Sequence, residues 1–422
     1  MPAVTKTLSP DIDKDYTLVC YCDFLRMGDE GSVQKSMEFL KHTFQRYYES
    51  STIELPDRFG RREFAFVLFG GKGMIRHLGF EKRDMLRSFL ENRSPQHAYY
   101  SSAYYQHPDA AKMSDKLWMG AELIFDLDSD HLPNAEKMGY VESLGEVKKE
   151  FIKLIHEFLL GDFGFQEKHL ELYFSGGRGY HCHVKDPVVL DFDSNERREI
   201  VDYITGRDLQ DSLIFHEQAT SRKSYGGHSF ASGKSLKMPT PDQDGWRGRI
   251  SRGIIDLVNE IKKNEDPEKK LEEYGVNPQD AERLVQELSE ERVRRIRDGL
   301  LDQSKTIRKF FLNSALRKTA VSLSAGETDE PVTCDVKRLI RLPSSLHGKT
   351  GLKVVKIEVD ELKDFDPLRD AVVLPEDPVK ILLQREVTIE MKNQQYHLEQ
   401  GVQEVPTYLG VFLIGRKEAV LL

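Results

Sequence analysis

Cysteine is scarce in this sequence, with four in 422 residues, at Cys20, Cys22, Cys182 and Cys334. That number and scatter exclude a disulfide framework and fit a reducing compartment. No apolar run approaches the roughly 20 residues needed to span a bilayer, and the first ten residues carry no signal-peptide pattern, so a soluble, cytoplasmic protein with no membrane partner is expected. An excess of basic residues is also missing. The net charge of −9 excludes a uniformly basic nucleic-acid coat, so any contact with phosphate must be local.

What is present suffices for a full hydrophobic core: 39% of residues are hydrophobic, enough for one large domain with a subdomain. Val33, Met37, Leu40 and Phe44 recur at helical spacing. Glu63 to Phe69 is apolar and aromatic, and Gly70, Gly71 and Gly73 separate it from Met74 to Phe80, which reads as a hairpin. Ala121 to Asp128 is a strand. Glu146 to Leu160 is a helix with Val147, Phe151, Leu154, Ile155 and Phe158 on one face and Gly161 at its end. A strand pair follows over Glu171 to Val184. The stretch from Thr205 to Gly248 is polar and reads as a surface excursion without chemistry. Ile250 to about Arg317 reads as a helical insertion, with Asn277 and Pro278 as a start signal. From Pro331 to Leu422 the sequence is β-rich and closes on the apolar run Tyr408 to Ile414. Strands and helices without βαβ periodicity indicate an α+β fold, divided into a core over 1–204, an insertion over 205–320 and a second core portion over 321–422.

Three segments carry candidate chemistry. In Glu122-Leu-Ile-Phe-Asp-Leu-Asp-Ser-Asp-His131, strand alternation puts Asp126 and Asp128 on one face, about 6–7 Å apart, where oxygen ligands grip a hard divalent cation. Alone, such a pair is more often an acidic turn in solvent. In Glu171-Leu-Tyr-Phe-Ser-Gly-Gly-Arg-Gly-Tyr-His-Cys-His-Val184, glycines let backbone N–H groups approach an anion while Ser175, Arg178 and His181 reach phosphate oxygens. A plain glycine hairpin explains the same letters. A zinc site on His181 and His183 lacks a second ligand pair at usual spacing. The third segment runs from Thr333 to Gly351. Asp335 offers another carboxylate, and Val336 to Ile357 holds Lys337, Arg338, Arg341, Lys349, Lys353 and Lys356 with no acid at all. A mixed-charge solvated face explains that bias poorly.

In this order the three segments resemble the archaeo-eukaryotic primase family, specifically its archaeal catalytic small subunit. Asp126 and Asp128 match the family's D-x-D strand. Ser175, Gly176, Arg178, Gly179 and His181 match its S-G-x-x-G-x-H turn, and Asp335, Arg341, Ser345, His347 and Lys349 its distal acid and basic strand. Arg62 to Phe66 with Arg76, His97 to Pro108, Gly245-Trp-Arg247 and Val405 to Tyr408 also look like the family. The resemblance implies a mixed-sheet, primase-type catalytic core with an inserted helical subdomain. It implies a DNA-directed nucleotidyltransferase that makes short RNA or DNA primers on single-stranded template from NTPs or dNTPs.

Asp126, Asp128 and Asp335 would then be catalytic and would hold two Mg²⁺ or Mn²⁺ ions. Ser175, Gly176, Arg178, His181, Arg341, His347 and Lys349 would bind the nucleotide, and Glu63 and Arg76 would lie near sugar or template. The family's partner is an iron–sulfur large subunit in a heterodimer. Its structural zinc knuckle has no counterpart here, because residues 130–161 contain no cysteine, so no structural zinc is expected. Two rival readings are a primase-like end-joining polymerase and a non-catalytic subunit that binds nucleotide and template.

Overall fold

The helix Glu30–Ser50 forms where the apolar spacing predicts it, and Val33, Met37, Leu40 and Phe44 are all buried. It belongs to a computed structural model that describes residues 30–131, 138–207, 209–210, 214–225, 228–301 and 332–422. In chain order the first strands are β1 (Phe64–Val67), β2 (Met74–Leu78), β3 (His97–Ser101), β4 (Ala103–Tyr105), β5 (Trp118–Ala121), β6 (Leu123–Asp128), β7 (Leu170–Phe174) and β8 (Gly179–Val184). Next come β9 (His216–Tyr225), β10 (His228–Lys237), β11 (Leu300–Leu301), β12 (Leu339–Arg341) and β13 (Val355–Ile357). The last are β14 (Pro378–Leu383), β15 (Val387–Met391), β16 (Gln394–Leu398), β17 (Gly401–Pro406) and β18 (Ala419–Leu421). With the helices they make the expected α+β fold, and strand pairing among the described residues is antiparallel.

The chain divides into two compact units. The first takes its described residues from Met1–Lys153, Phe165–Val201 and Ser322–Leu422. Two four-stranded sheets dominate it, ordered β12-β3-β1-β2 and β13-β7-β8-β6. β1 and β2 are the hairpin predicted from the glycine-interrupted run. In the second sheet β6 pairs with β8 so that Asp126 faces His181 and Asp128 faces Gly179. Leu123, Phe125 and Leu127 are buried while Asp126 and Asp128 are only partly buried, which is the alternation of a strand with one wet face.

The second unit takes its described residues from Leu154–Gly164 and Asp202–Val321. Helices Gly245–Lys263, Pro267–Glu273, Pro278–Glu287 and Glu290–Arg297 fill much of it. The Asn277 side chain accepts from Asp280 N at 2.9 Å and caps the third of these, as the Asn-Pro pair predicts. The remainder of the expected helical insertion, 302–331, lies outside the described residues.

Two expectations from sequence are corrected. The polar excursion contains a long hairpin, β9 with β10. Its letters are polar on both faces, so no period of two was visible. The closing apolar run, expected to be β-rich, is the helix Thr407–Gly415, and every one of its residues is buried. A helix that is apolar all round has no amphipathic period to reveal it. Among the described residues no helix is long and apolar enough to cross a membrane.

A buried ion pair ties the two large sheets of the first unit. Arg62 and Glu122 are both fully buried, and a guanidinium nitrogen of Arg62 donates to Glu122 Oε1. Arg62 also donates to the carbonyls of Ser101 and Ser102 at 2.8 Å and lies 3.9 Å above the Tyr104 ring. Tyr104 Oη donates to Glu122 Oε1 at 3.0 Å, and His183 Nδ1 stands 2.8 Å from Oε2. Burial pushes the Glu122 carboxyl upward, but Arg62 and His183 outweigh it and hold the group well below the usual carboxylate range. Glu122→Ala would strand the Arg62 charge in the core and is expected to cost about 3–5 kcal/mol. Urea unfolding reads this as a lowered midpoint, and an unchanged midpoint would refute the assigned role.

Candidate active site

Residues from all three sequence segments meet in one cleft of the first unit, with a volume of about 330 Å³. Asp126 and Asp128 enter from β6; Ser175, Gly177, Arg178 and His181 from the β7–β8 turn; Arg341, His347 and Lys349 from β12 and the loop after it. The turn is tight. Ser175 N donates to Gly179 O at 3.0 Å, and Ser175 Oγ accepts from Gly177 N and Gly179 N at 3.3 Å. Gly179 is required at its position, because a Cβ there would lie 2.1 Å from Leu127 O. β6 and β8 therefore approach closely beside Asp128. Gly176 is not among the cleft-lining residues; it supports the loop opposite, its carbonyl accepting from Thr350 Oγ1 at 2.5 Å.

The cationic groups are not equally available. Arg178 forms a two-pronged pair with Asp130 and stands 3.5 Å from Asp128. Arg341 is buried apart from a small exposed remnant, lies 4.6 Å over the Tyr99 ring and donates to His97 Nδ1. His97 accepts again from Gly348 N at 3.2 Å, and its ring meets that of His347 edge-on at 5.0 Å. Burial, then Arg341 and Lys349, push the His97 imidazole far down; burial and Arg341, with His97, Lys349 and Arg178, do the same to His347. Both rings are thus neutral acceptors beside fixed cations. His181 is buried with both ring nitrogens lacking a hydrogen-bond partner, so its polar atoms await a ligand.

Besides Gly176, three of the residues singled out from sequence lie outside the cleft lining. Asp335 follows the turn Val332–Cys334, which packs against β6, and its Oδ1 accepts from Lys337 N at 2.8 Å. Its charge is also felt by Arg197, whose buried guanidinium is lowered to about 10 by desolvation against the pull of Asp335. Among the described residues no three His, Cys, Asp or Glu side chains stand together as a ready metal cluster. Glu63 is buried and already engaged, Oε1 accepting from Arg76 Nε and His77 N at 3.1 Å and Oε2 facing Lys116 at 3.5 Å. Glu63 thus orients Arg76, and neither lines the cleft.

Sequence reasoning missed other residues of the wall: His97, which holds Arg341, and Thr350, Arg416 and Lys417, which line the cleft. The basic bias of the third segment pointed toward Thr350. Nothing in the sequence tied Arg416 and Lys417 to it, since they follow a run read as strand.

Because the folded His97 and His347 bind protons only well below 6.5, the unfolded chain takes up more protons in acid. Their contribution to stability is present above about pH 6.5 and lost as pH falls below it. Ring proton resonances are expected to show these two histidines still neutral at pH 6. A midpoint near 6.5 for either would contradict the buried cationic setting.

The family model for the DNA primase small subunit matches residues 125–359. The chain is 40% identical over 391 residues to the DNA primase small subunit PriS of Methanococcoides burtonii, covering 91% of this chain and 98% of that protein. It is 41% identical over 407 residues to the PriS of Methanosarcina acetivorans, covering 91% and 96%. To the PriS of Picrophilus torridus it is 38% identical over 390 residues, covering 92% and 97%.

Proposed function

From the premise that this chain belongs to the DNA primase small-subunit family, we propose that the cleft on β6, β8 and β12 is its nucleotidyl-transfer site. The chain is the catalytic subunit of a DNA primase, a nucleotidyltransferase acting on nucleotides and a DNA template. The observation that carries the site is the convergence of the acid pair, the glycine turn and the acid-free basic segment on one cavity.

Divalent metal use fits the donor set. Asp126 and Asp128 present partly buried carboxylates from one strand face, which is hard oxygen chemistry, and the unpartnered His181 nitrogens suit phosphate oxygens beside them. Asp126 and Asp128 would hold the ions, with Asp335, on the turn packed against β6, as the third ligand. Mg²⁺ or Mn²⁺, when bound, would lower the pKa of the attacking 3′-hydroxyl and neutralise the departing pyrophosphate.

The chain's own residues do the rest. Arg341 and Lys349 offer fixed charge to the triphosphate, and Ser175 and neutral His181 and His347 add hydrogen bonds of adjustable polarity. His97 keeps Arg341 turned toward the cleft. Because Arg341 is nearly dry, its attraction for phosphate is screened less than that of a surface arginine. An iron–sulfur large subunit is the partner implied by the family resemblance.

Asp128→Asn keeps the side chain's shape and removes its charge. Priming on single-stranded DNA with labelled NTP or dNTP is expected to fall on the order of 1,000-fold, with the unfolding midpoint retained. Near-normal priming would falsify the metal-ligand assignment. Arg341→Gln is expected to weaken nucleotide binding about tenfold or more, and an unchanged dissociation constant would contradict its role.

A further inference from the structure

The helix Thr407–Gly415 ends in a left-handed turn at Lys417, φ 63°. Lys417 N donates to Ile414 O at 2.9 Å and Glu418 N to Leu413 O at 2.8 Å. This pair of bonds defines a helix stop whose left-handed residue is usually glycine, since a Cβ there is strained. Lysine is an uncommon occupant of such a stop. Lys417 and its neighbour Arg416 both line the cleft that holds Asp126, His181 and Arg341.

Their place in it is set from two sides. Gly415 packs against the loop that bears Lys349, where a Cβ would come within 2.6 Å of Lys349 O. Arg416 lies 4.5 Å over the Tyr140 ring, and Tyr140 Oη donates to Gly177 O at 2.6 Å in the glycine turn. Arg416 and Lys417 thus sit between the glycine turn and the Lys349 loop. They raise the cleft lining to five cations, with Arg178, Arg341 and Lys349, against the two carboxylates Asp126 and Asp128. Arg416 Nε also meets Glu418 Oε1 at 3.1 Å.

We infer that Lys417, with Arg416 beside it, is a further ligand for the polyphosphate of the incoming nucleotide. This rests on the cleft being the nucleotide site, and the strained backbone at Lys417 persists because the ammonium is used there. A charge-assisted hydrogen bond of this kind corresponds to about tenfold in affinity.

The test is Lys417→Gly in the full-length chain, because glycine relieves the left-handed strain while removing the charge. Its unfolding midpoint is expected to be equal to or above wild type. Its affinity for a nucleoside triphosphate in the presence of Mg²⁺ is expected to fall about tenfold, with a smaller loss for the monophosphate and none for the nucleoside. KM for the nucleotide should rise with kcat little changed, and Lys417→Arg should restore most of the affinity. Equal losses for nucleoside and triphosphate, or no loss at all, would overturn the inference. So would a loss confined to single-stranded DNA binding, which would place Lys417 on the template strand instead. Arg341→Gln, measured in parallel, separates the two levels. If it weakens triphosphate binding and Lys417→Gly does not, only the role of Lys417 fails; if neither does, the reading of the cleft fails with it.

Discussion

The buried pair of Arg62 and Glu122 is the constraint on which the first unit's site depends. Two opposite charges taken wholly out of water are tolerable only if each is also hydrogen-bonded, and here both are. Arg62 also donates to the carbonyls of Ser101 and Ser102 at the end of β3 and to that of Asp57, and Glu122 accepts from Tyr104 and faces His183 on β8. The pair therefore pins β6 and β8 to the strands of the other sheet at one end. Six residues beyond Glu122 along β6, Asp128 receives its position from that anchor. Arg197 fixes the same end from another side by donating to the carbonyls of Ala121 and Glu122 at 2.9 Å.

How much of this was legible in the sequence follows from the kind of signal each part left. Asp126 and Asp128 were readable because strand alternation is strict: apolar neighbours at 123, 125 and 127 force the acids to the opposite face. The basic segment was readable because charge bias survives whatever the backbone does. The buried role of Glu122 and Arg62 left no such trace, since a charged residue at a strand's start looks like any solvated one until its partner, sixty positions away, is placed beside it. Glu63 shows the same blindness. Its letter gave no hint that it would be buried, accepting from Arg76 Nε and His77 N with Lys116 facing its other oxygen.

The C-terminal wall failed for a different reason. Between Tyr408 and Ile414 every side is apolar and every side is buried, so neither the helical nor the strand period is expressed. Only length and caps could arbitrate, and the left-handed stop is occupied by lysine where glycine would have announced a helix end. The residue that hid the helix is one of those that line the cleft.

Within the cleft, neutral and charged groups are sorted by depth. His97, His181 and His347 are buried beside charged neighbours and so carry no charge, which leaves attraction for an anion to the arginines and lysines of the cleft and leaves the histidines to choose between donating and accepting. Arg178 is the exception, because it is paired with Asp130 and stands close to Asp128. An anion drawn to Arg178 loosens its hold on Asp128, and a cation drawn to Asp128 loosens its hold on Arg178. Each ligand thereby lowers the cost of binding the other, and by linkage the effect is equal in both directions. For a triphosphate and its divalent cation at the proposed site, the ion pair within the cleft would thus make their entry mutually supportive.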